Sequence, residues 1–285
     1  MPAVVSWGEL GGEWVDDSAD GALLFSEEEH GAAHAAFASE RSPNQKLDVS
    51  LVIDTTGSMT DELAYLQAEF LAISETIEGL YPDAEQRWSL VVYRDEGDEY
   101  EVRWFDFRDD AGEFRQKLQA QSGGGGGDFP EAPDGAFEVM NQLAWRNEDA
   151  VARLAFWVAD APHHNHNAKA MTDAVRASQK LGVHIYPVAS SGIDEPTELE
   201  MRSVAQLTGG RYLFLTDDSA VGGAHKEPSI PCYFVTKLDA AIVRMVDIEM
   251  SGEYRELAGD VILRTGGDPQ DGACILESGA EALVF

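Results

Sequence analysis

The sequence has few basic residues and lacks long apolar runs. Its 285 residues include 20 Lys and Arg against 52 Asp and Glu, which gives a formal net charge of -32. A surface this acidic repels nucleic acid and anionic membranes and attracts cations, so nucleic acid is not expected as a partner. A membrane-crossing helix needs about 18 or more consecutive apolar residues, and no such run is present, so no membrane span is expected.

Cysteine is also scarce. Cys232 and Cys274 are too few for a disulfide framework but enough for one bridge. Two separate thiols are the alternative, and the sequence does not distinguish between a disulfide and free thiols. The opening residues MPAVVSWGELGGEW lack the basic start and the apolar core of a secretory signal, although a signal removed earlier would leave no trace.

What the sequence does contain is an alternation of apolar runs and helical patterns from residue 47 to residue 215. This alternation predicts consecutive βα units. The fold class is therefore α/β, with a Rossmann-like, mostly parallel central sheet that has helices on both faces. A polar connection at 94–99 predicts an antiparallel hairpin, which adds one antiparallel edge strand. Strands are predicted at 47–53, 88–93, 100–107, 154–159, 183–188 and 212–215, and helices at 60–79, 111–120, 131–145, 168–181 and 197–209.

Three finer predictions concern helix starts and aromatic residues. Pro130 is expected to open the helix at 131–145, because proline is well tolerated at the first helical position. Thr197 and Glu200 have the spacing of a capping box at the start of the helix predicted at 197–209. Four tryptophans are expected in the core rather than in a sugar-binding site: Trp88, Trp104, Trp145 and Trp157.

The chain divides into three parts on composition. Residues 1–45 form an N-terminal extension without a sustained period, and residues 46–220 form the α/β domain. Residues 221–285 contain an amphipathic helix at 236–250, which we expect to cover the sheet, and a small β-rich appendage. The appendage could pair with the N-terminal extension.

The candidate site begins where two apolar strands end in aspartate. Asp54, Thr56 and Ser58 follow the first strand at alternate positions, and Asp160 follows the run LAFWVA. In open α/β sheets, ligands bind outside the carboxyl ends of the strands. Carboxylates and hydroxyls suit a hard divalent cation. Converging aspartates would repel one another strongly, so a proton or a divalent ion is expected among them.

A glycine-rich stretch, SGGGGGDFP at 122–130, lies between these strands. It lacks the Lys and Ser/Thr of a phosphate-binding loop and carries Asp128 where an anion would lie. A flexible linker is the alternative, but an acidic residue and a helix start follow the glycines at once.

Together these motifs resemble the von Willebrand factor type A domain over about 47–215. The family's metal-ion-dependent adhesion site has the pattern Asp-x-Ser/Thr-x-Ser, matched at Asp54, Thr56 and Ser58, and an aspartate from a third loop, matched at Asp160. Its second loop normally offers threonine. Here Asp128 in GGGDFPEA stands at that position, as in a bacterial subgroup with Gly-Gly-Asp-x-Pro-Glu, and it could bind directly or through water. The segments VVYRDEGDEY, IYPVASSGIDEP and TGGRYLFLTDD look like the same subgroup.

The resemblance implies a non-enzymatic, metal-dependent protein-binding module of the adhesion type. Its ion would be Mg²⁺ (or Mn²⁺ or Ca²⁺), with one coordination position open for a carboxylate of a protein partner. The implied metal ligands are Asp54, Thr56, Ser58, Asp128 and Asp160. Residues that could form the rim of the site are Thr55, Gly127, Glu131, His163, His164 and His166.

Other functions remain open at this stage. The three histidines could bind a transition metal, since imidazole suits zinc, copper and nickel, although a polar rim is the simpler role. A metal-dependent hydrolase would use Asp160, His163 and Asp128, but no motif places a nucleophile beside a base. An intracellular scaffold for complex assembly is a third possibility. The resemblance favours the outside or the envelope of a bacterium if a signal has been removed, and the cytoplasm otherwise. A disulfide would favour export.

Overall fold

The computed structural model describes residues 3–5, 22–37, 42–127, 129–219, 225, 232–254, 257–270, 273–275 and 281–283. Asp128, one of the expected metal ligands, lies outside these residues. Within the described ranges, no helix has both the length and the apolar character that a membrane crossing requires.

Eleven strands and seven α-helices alternate along the described chain. The strands are β1 (Ala3–Val5), β2 (Lys46–Asp54), β3 (Glu85–Tyr93), β4 (Val102–Arg108), β5 (Val151–Ala159), β6 (His184–Ala189), β7 (Tyr212–Phe214), β8 (Tyr233–Val235), β9 (Arg264–Gly266), β10 (Ala273–Ile275) and β11 (Glu281–Leu283). The helices are α1 (Glu27–Phe37), α2 (Thr60–Leu80), α3 (Ala111–Gln119), α4 (Pro133–Gln142), α5 (Ala168–Leu181), α6 (Glu195–Thr208) and α7 (Leu238–Ser251).

The main sheet has the strand order β4-β3-β2-β5-β6-β7-β1-β8-β9. Its central strands, from β3 to β7, are parallel, and β4 pairs antiparallel with β3 at the edge. The predicted fold class is therefore confirmed. The sheet also continues beyond β7, because β1 pairs antiparallel with β7 and β8, and β9 pairs antiparallel with β8. Strands from both terminal regions thus join one sheet.

Helices cover both faces of the sheet, as the apolar patterns predict. On one face, Val52 and Trp157 belong to a buried cluster with side chains of α4, α5 and α6. On the other face, Leu51 and Ile53 pack with side chains of α2, α3 and α7. Strand β2 is buried along nearly its whole length because it lies between β3 and β5 under both helix layers. This placement fixes the position of its carboxyl end.

Three predictions of detail are wrong. Helix α4 begins at Pro133, because Glu131 forms a single parallel bridge with His163 and is not part of the helix. Helix α6 begins at Glu195, where Asp194 accepts a hydrogen bond from the backbone N–H of Thr197 at 2.9 Å and so replaces the expected threonine cap. Trp104 lies on the edge strand and is 55% exposed.

The C-terminal region contains the predicted helix α7 and a small β part. Strands β10 and β11 pair with each other in a separate two-stranded sheet. A disulfide joins Cys232, just before β8, to Cys274 in β10, with the two Cα atoms 5.7 Å apart. Of the two cysteine states that the sequence leaves open, the structure has the bridge.

Candidate metal centre

The loops after β2 and β5 lie side by side at one edge of the sheet. The two strands are parallel neighbours, and Ile53 pairs with Val158. Asp54 is the last residue of β2, and Asp160 directly follows β5. The two aspartates therefore lie at nearly the same level along the sheet. Both side chains are buried, with exposures of 0% and 8%. The two terminal aspartates thus meet at one edge, as the sequence predicts.

Hydrogen bonds tie the Asp54 carboxylate to the loop that follows it. Oδ1 of Asp54 accepts from the backbone N–H of Thr56 at 2.8 Å and from its hydroxyl at 2.7 Å. The hydroxyl oxygens of Thr56 and Ser58 lie 3.3 Å apart, and Ser58 lowers the pKa of the Asp160 carboxyl. Oδ2 of Asp54 is buried and has no hydrogen-bond partner among the described residues. A buried carboxylate oxygen without a partner is costly, and a cation would satisfy it.

The carboxyl groups at this edge make ionisation unfavourable. Burial, followed by the charge of Asp160, raises the pKa of Asp54 to about 7. Burial, followed by the charges of Asp54 and Asp95, raises the pKa of Glu131 to about 9. The pKa of Asp160 is also raised, mainly by burial. Such a group of carboxyls holds either protons or a cation at neutral pH.

The glycine-rich loop packs its backbone against the Asp54 loop. The N–H of Gly124 donates to the Thr55 carbonyl at 3.0 Å, and the N–H of Gly57 donates to the Gly125 carbonyl at 3.3 Å. Gly126 has a φ of +68°, and a Cβ there would lie 3.1 Å from Oε1 of Glu131 and 3.2 Å from Cβ of Thr56. A side chain would therefore both strain the backbone and crowd the centre. These bonds distinguish the loop from a free linker.

The von Willebrand factor A domain profile matches residues 48–217, well over half of the chain. The chain belongs to this family. Von Willebrand factor A domains are generally protein-interaction modules, and many of them depend on a metal-ion-dependent adhesion site. Among solved structures, the chain is similar to the conserved hypothetical protein BatB from Bacteroides thetaiotaomicron, with 11% identity, a TM-score of 0.47, and coverage of 71% of this chain and 98% of that one. A comparison with curated proteins gives no match.

Within this von Willebrand factor A domain, Glu131 lies deeper than a rim residue. Its side chain is 4% exposed, and Oε2 has no hydrogen-bond partner among the described residues. Its backbone N–H donates to the Pro162 carbonyl at 3.0 Å, which holds it beside the Asp160 loop. Nothing in the local sequence indicates this burial, because it depends on the approach of a loop far along the chain. Gly127, the residue after Gly126, is exposed.

The Thr55 side chain turns away from the centre towards the β3–β4 hairpin. Its hydroxyl donates to the Tyr93 carbonyl at 2.8 Å and lies 2.8 Å from the Tyr100 hydroxyl. Arg94 lies in the same region and is 6% exposed. It donates to the Ser122 carbonyl at 2.9 Å and so supports the start of the glycine-rich loop. No local pattern in the sequence indicates this bond.

Each histidine of the PHHNHN loop is bonded to a carboxylate from another element. His163 is buried, with Nδ1 2.8 Å from Oε2 of Glu200. Nε2 of His164 is 2.6 Å from Asp95, and Nε2 of His166 is 2.9 Å from Glu96. These last two contacts tie the loop to the β3–β4 turn. The pairing of His163 with Glu200 also differs from the Asp160–His163–Asp128 combination that a hydrolase would use.

No part of the described chain brings together three His, Cys, Asp or Glu side chains in an arrangement that could hold a metal ion. A cation at Asp54 would therefore depend on the hydroxyls of Thr56 and Ser58 as well as on the two aspartates. This is the donor set of a hard-cation site rather than of a transition-metal site. The residues present thus fit the cation that the family pattern implies.

Proposed function

We propose that this protein is a divalent-cation-dependent protein-binding module. Asp54, Thr56, Ser58 and Asp160 would hold Mg²⁺ (or Mn²⁺ or Ca²⁺), and an acidic group of a partner would complete the coordination. The observation that carries the proposal is the buried Oδ2 of Asp54, which has no hydrogen-bond partner among the described residues although Oδ1 accepts twice from Thr56. A divalent ion supplies the positive charge that this arrangement lacks.

The second-loop ligand follows from the family pattern alone. Asp128 stands in the sequence GGGDFPEA, which resembles the loop of the bacterial subgroup, and we propose membership of that subgroup. In this proposal Asp128 contributes a carboxylate oxygen directly or through water. The division into residues 1–45, 46–220 and 221–285 likewise remains a proposal.

We also propose that the protein acts in the envelope or outside a bacterial cell. The Cys232–Cys274 disulfide supports this location, because structural disulfides persist mainly in oxidising compartments. The competing role of an intracellular scaffold for complex assembly would use the same centre. It predicts free thiols in protein purified from the native cell, which thiol labelling under denaturing conditions would detect.

The cation is tested by replacing Asp54. Saturating Mg²⁺ should stabilise the wild-type protein by about 2.7 kcal/mol at a concentration a hundred times the dissociation constant. For a chain of this size that is a rise in Tm of roughly 5–10 °C. Asp54→Asn should lose the rise, because it removes the carboxylate with the unpaired oxygen while keeping its shape.

The matched control is Asp83→Asn, an exposed aspartate in the turn between α2 and β3. It makes the same chemical change far from the centre and should keep the full Mg²⁺ effect. Equal Mg²⁺ stabilisation of Asp54→Asn and wild type would refute the site. Capture of partners from the native organism, with and without chelator, then tests the binding function. A partner set unchanged by both chelator and Asp54→Asn would refute cation-dependent binding.

A further inference from the structure

Exposed acidic side chains lie on three segments that begin or turn at the same edge of the sheet as the Asp54 centre. Asp61 lies in the first turn of α2, Glu96 and Glu99 lie in the β3–β4 turn, and Glu195 opens α6. All four are exposed to solvent. We call these four residues the acidic rim. They belong to segments that start or turn at the same edge of the sheet as the centre.

Contacts hold these segments against the centre. Asp98, in the β3–β4 turn, accepts a hydrogen bond from the N–H of Gly126 at 2.8 Å. The hydroxyl of Ser191, which follows β6, donates to Glu62 in α2 at 2.9 Å. The turn and both helix starts are therefore fixed around the glycine-rich loop and the Asp54 loop. A partner that approaches this edge of the sheet therefore meets acidic side chains.

Cations at this edge do little to offset the rim. Arg94 is 6% exposed, donates to the Ser122 carbonyl and lies 3.5 Å from Glu99. His166 lies 2.9 Å from Glu96, so these cations offset only part of the rim. Lys169, exposed at the start of α5, is bonded to Asp173. The field at the entrance is therefore negative, and the formal net charge of -32 extends it over the molecule.

We propose that the partner of this centre presents its carboxylate within a cationic segment, with Lys or Arg on both sides of the acidic residue. This conclusion rests on the proposed function. A carboxylate that approaches the rim alone meets like charge, which lowers both the association rate and the affinity. Flanking cations turn that repulsion into attraction, while acidic competitors are excluded.

The experiment uses the full chain and three short labelled peptides as probes. KKGDGKK has a central aspartate between lysine pairs, EEGDGEE replaces the lysines by glutamates, and KKGNGKK replaces the aspartate by asparagine. Binding is measured by fluorescence anisotropy at low salt in Mg²⁺ and in chelator. We expect KKGDGKK to bind at least about tenfold more tightly than either of the other peptides in Mg²⁺. In chelator its advantage over KKGNGKK should disappear.

Charge reversal on the rim supplies the matched variants. Asp61→Lys with Glu195→Lys should weaken KKGDGKK binding by about three- to tenfold at low salt, and less at high salt. Glu75→Lys with Glu78→Lys changes the same number of charges on exposed positions further along α2. That control should change the affinity by less than about twofold.

The proposal would be overturned by equal binding of KKGDGKK and EEGDGEE, by equal weakening by the two double variants, or by no detectable binding of KKGDGKK at millimolar concentration. Equal binding of KKGDGKK and KKGNGKK in Mg²⁺ would also overturn it, by showing attraction without recognition of the carboxylate. Calorimetric titration of the chain with Mg²⁺ alone distinguishes failure of the proposed function from failure of the cationic-partner proposal. If Mg²⁺ does not bind, the proposed function fails; if it binds without any peptide preference, only the cationic partner fails.

Discussion

Asp54 combines two features that are unfavourable in the ion-free protein. One of its oxygens is satisfied twice by Thr56, but the other is buried without a partner among the described residues. The charge of the neighbouring Asp160 further disfavours ionisation. Both features become favourable with a cation. A residue of this kind therefore destabilises the ion-free protein but favours the binding of a cation.

The same residue predicts a pH dependence of the ion-free protein. In the unfolded chain the Asp54 carboxyl loses its proton near the usual pKa of 3.8, whereas in the folded protein the pKa is about 7. Between these values only the unfolded state releases the proton, so this group makes folding less favourable as the pH rises from about 4 to about 7. The destabilisation is therefore absent below pH 4 and complete above pH 7.

Asp54→Asn should remove this contribution. In chelator at pH 8 we expect the variant to be more stable than the wild type by roughly 2–4 kcal/mol, because its side chain cannot ionise. At pH 4 the two proteins should be nearly equal. Denaturant unfolding at both pH values measures the difference. A wild-type advantage at pH 8 in chelator would contradict the environment assigned to Asp54.

At the scale of elements, a glycine just before strand β7 allows a close approach to the backbone of β6. Gly210 lies between α6 and β7, and a Cβ there would lie 1.8 Å from the Ile185 carbonyl oxygen of β6. Gly210→Ala should therefore separate the two strands and lower the free energy of unfolding by about 3 kcal/mol or more. Thermal unfolding in Mg²⁺ and in chelator would show a lower Tm in both.

The control for this substitution is a glycine with open space. No atom lies within 4 Å of a Cβ added at Gly79 in the last turn of α2. Gly79→Ala should raise stability by about 0.5–1 kcal/mol, because alanine favours the helix. If both variants changed Tm in the same direction, the close approach at Gly210 would not be the cause.

Elements with strong periods could be predicted from the sequence, and their ends often could not. The stripe through Leu63, Phe70 and Ile77 is buried along α2 as its spacing predicts. Helix α6 begins earlier than expected, because Asp194 competes with Thr197 for the capping role. The burial of Glu131 had no local signal, since it depends on a bridge to His163 in another loop.

At the scale of the molecule, the terminal regions complete the sheet. Strand β1 lies between β7 and β8, so residues from the start of the chain separate two segments of its second half. Sequence periodicity does not predict such a pairing, because it depends on contacts more than 200 residues apart, as between Ala3 and Phe214. The two aspartates of the centre were predictable because each is directly attached to a buried parallel strand.

The disulfide connects this extended sheet to the β10–β11 hairpin. Cys232 and Cys274 are both buried, and 42 residues of sequence separate them. In the main sheet β8 pairs with β1 and β9, whereas β10 pairs with β11 in a sheet of its own. The bridge is therefore a covalent link between the hairpin and the main sheet, at a large distance in sequence from the Asp54 centre.

Replacement of both cysteines by serine should affect the C-terminal region and leave the metal centre unchanged. Loss of a bridge that closes a loop of this length lowers the free energy of unfolding by about 2–4 kcal/mol. We expect this destabilisation to make local unfolding of residues 257–283 easier. Limited proteolysis with mass spectrometry should show earlier cleavage there than in the oxidised wild type. The Mg²⁺-dependent rise in Tm should persist, since the two cysteines form a small buried cluster of their own with Phe234 packed against it. Loss of that rise in the double variant, with helical content unchanged, would show that the C-terminal region supports the centre and would contradict this separation.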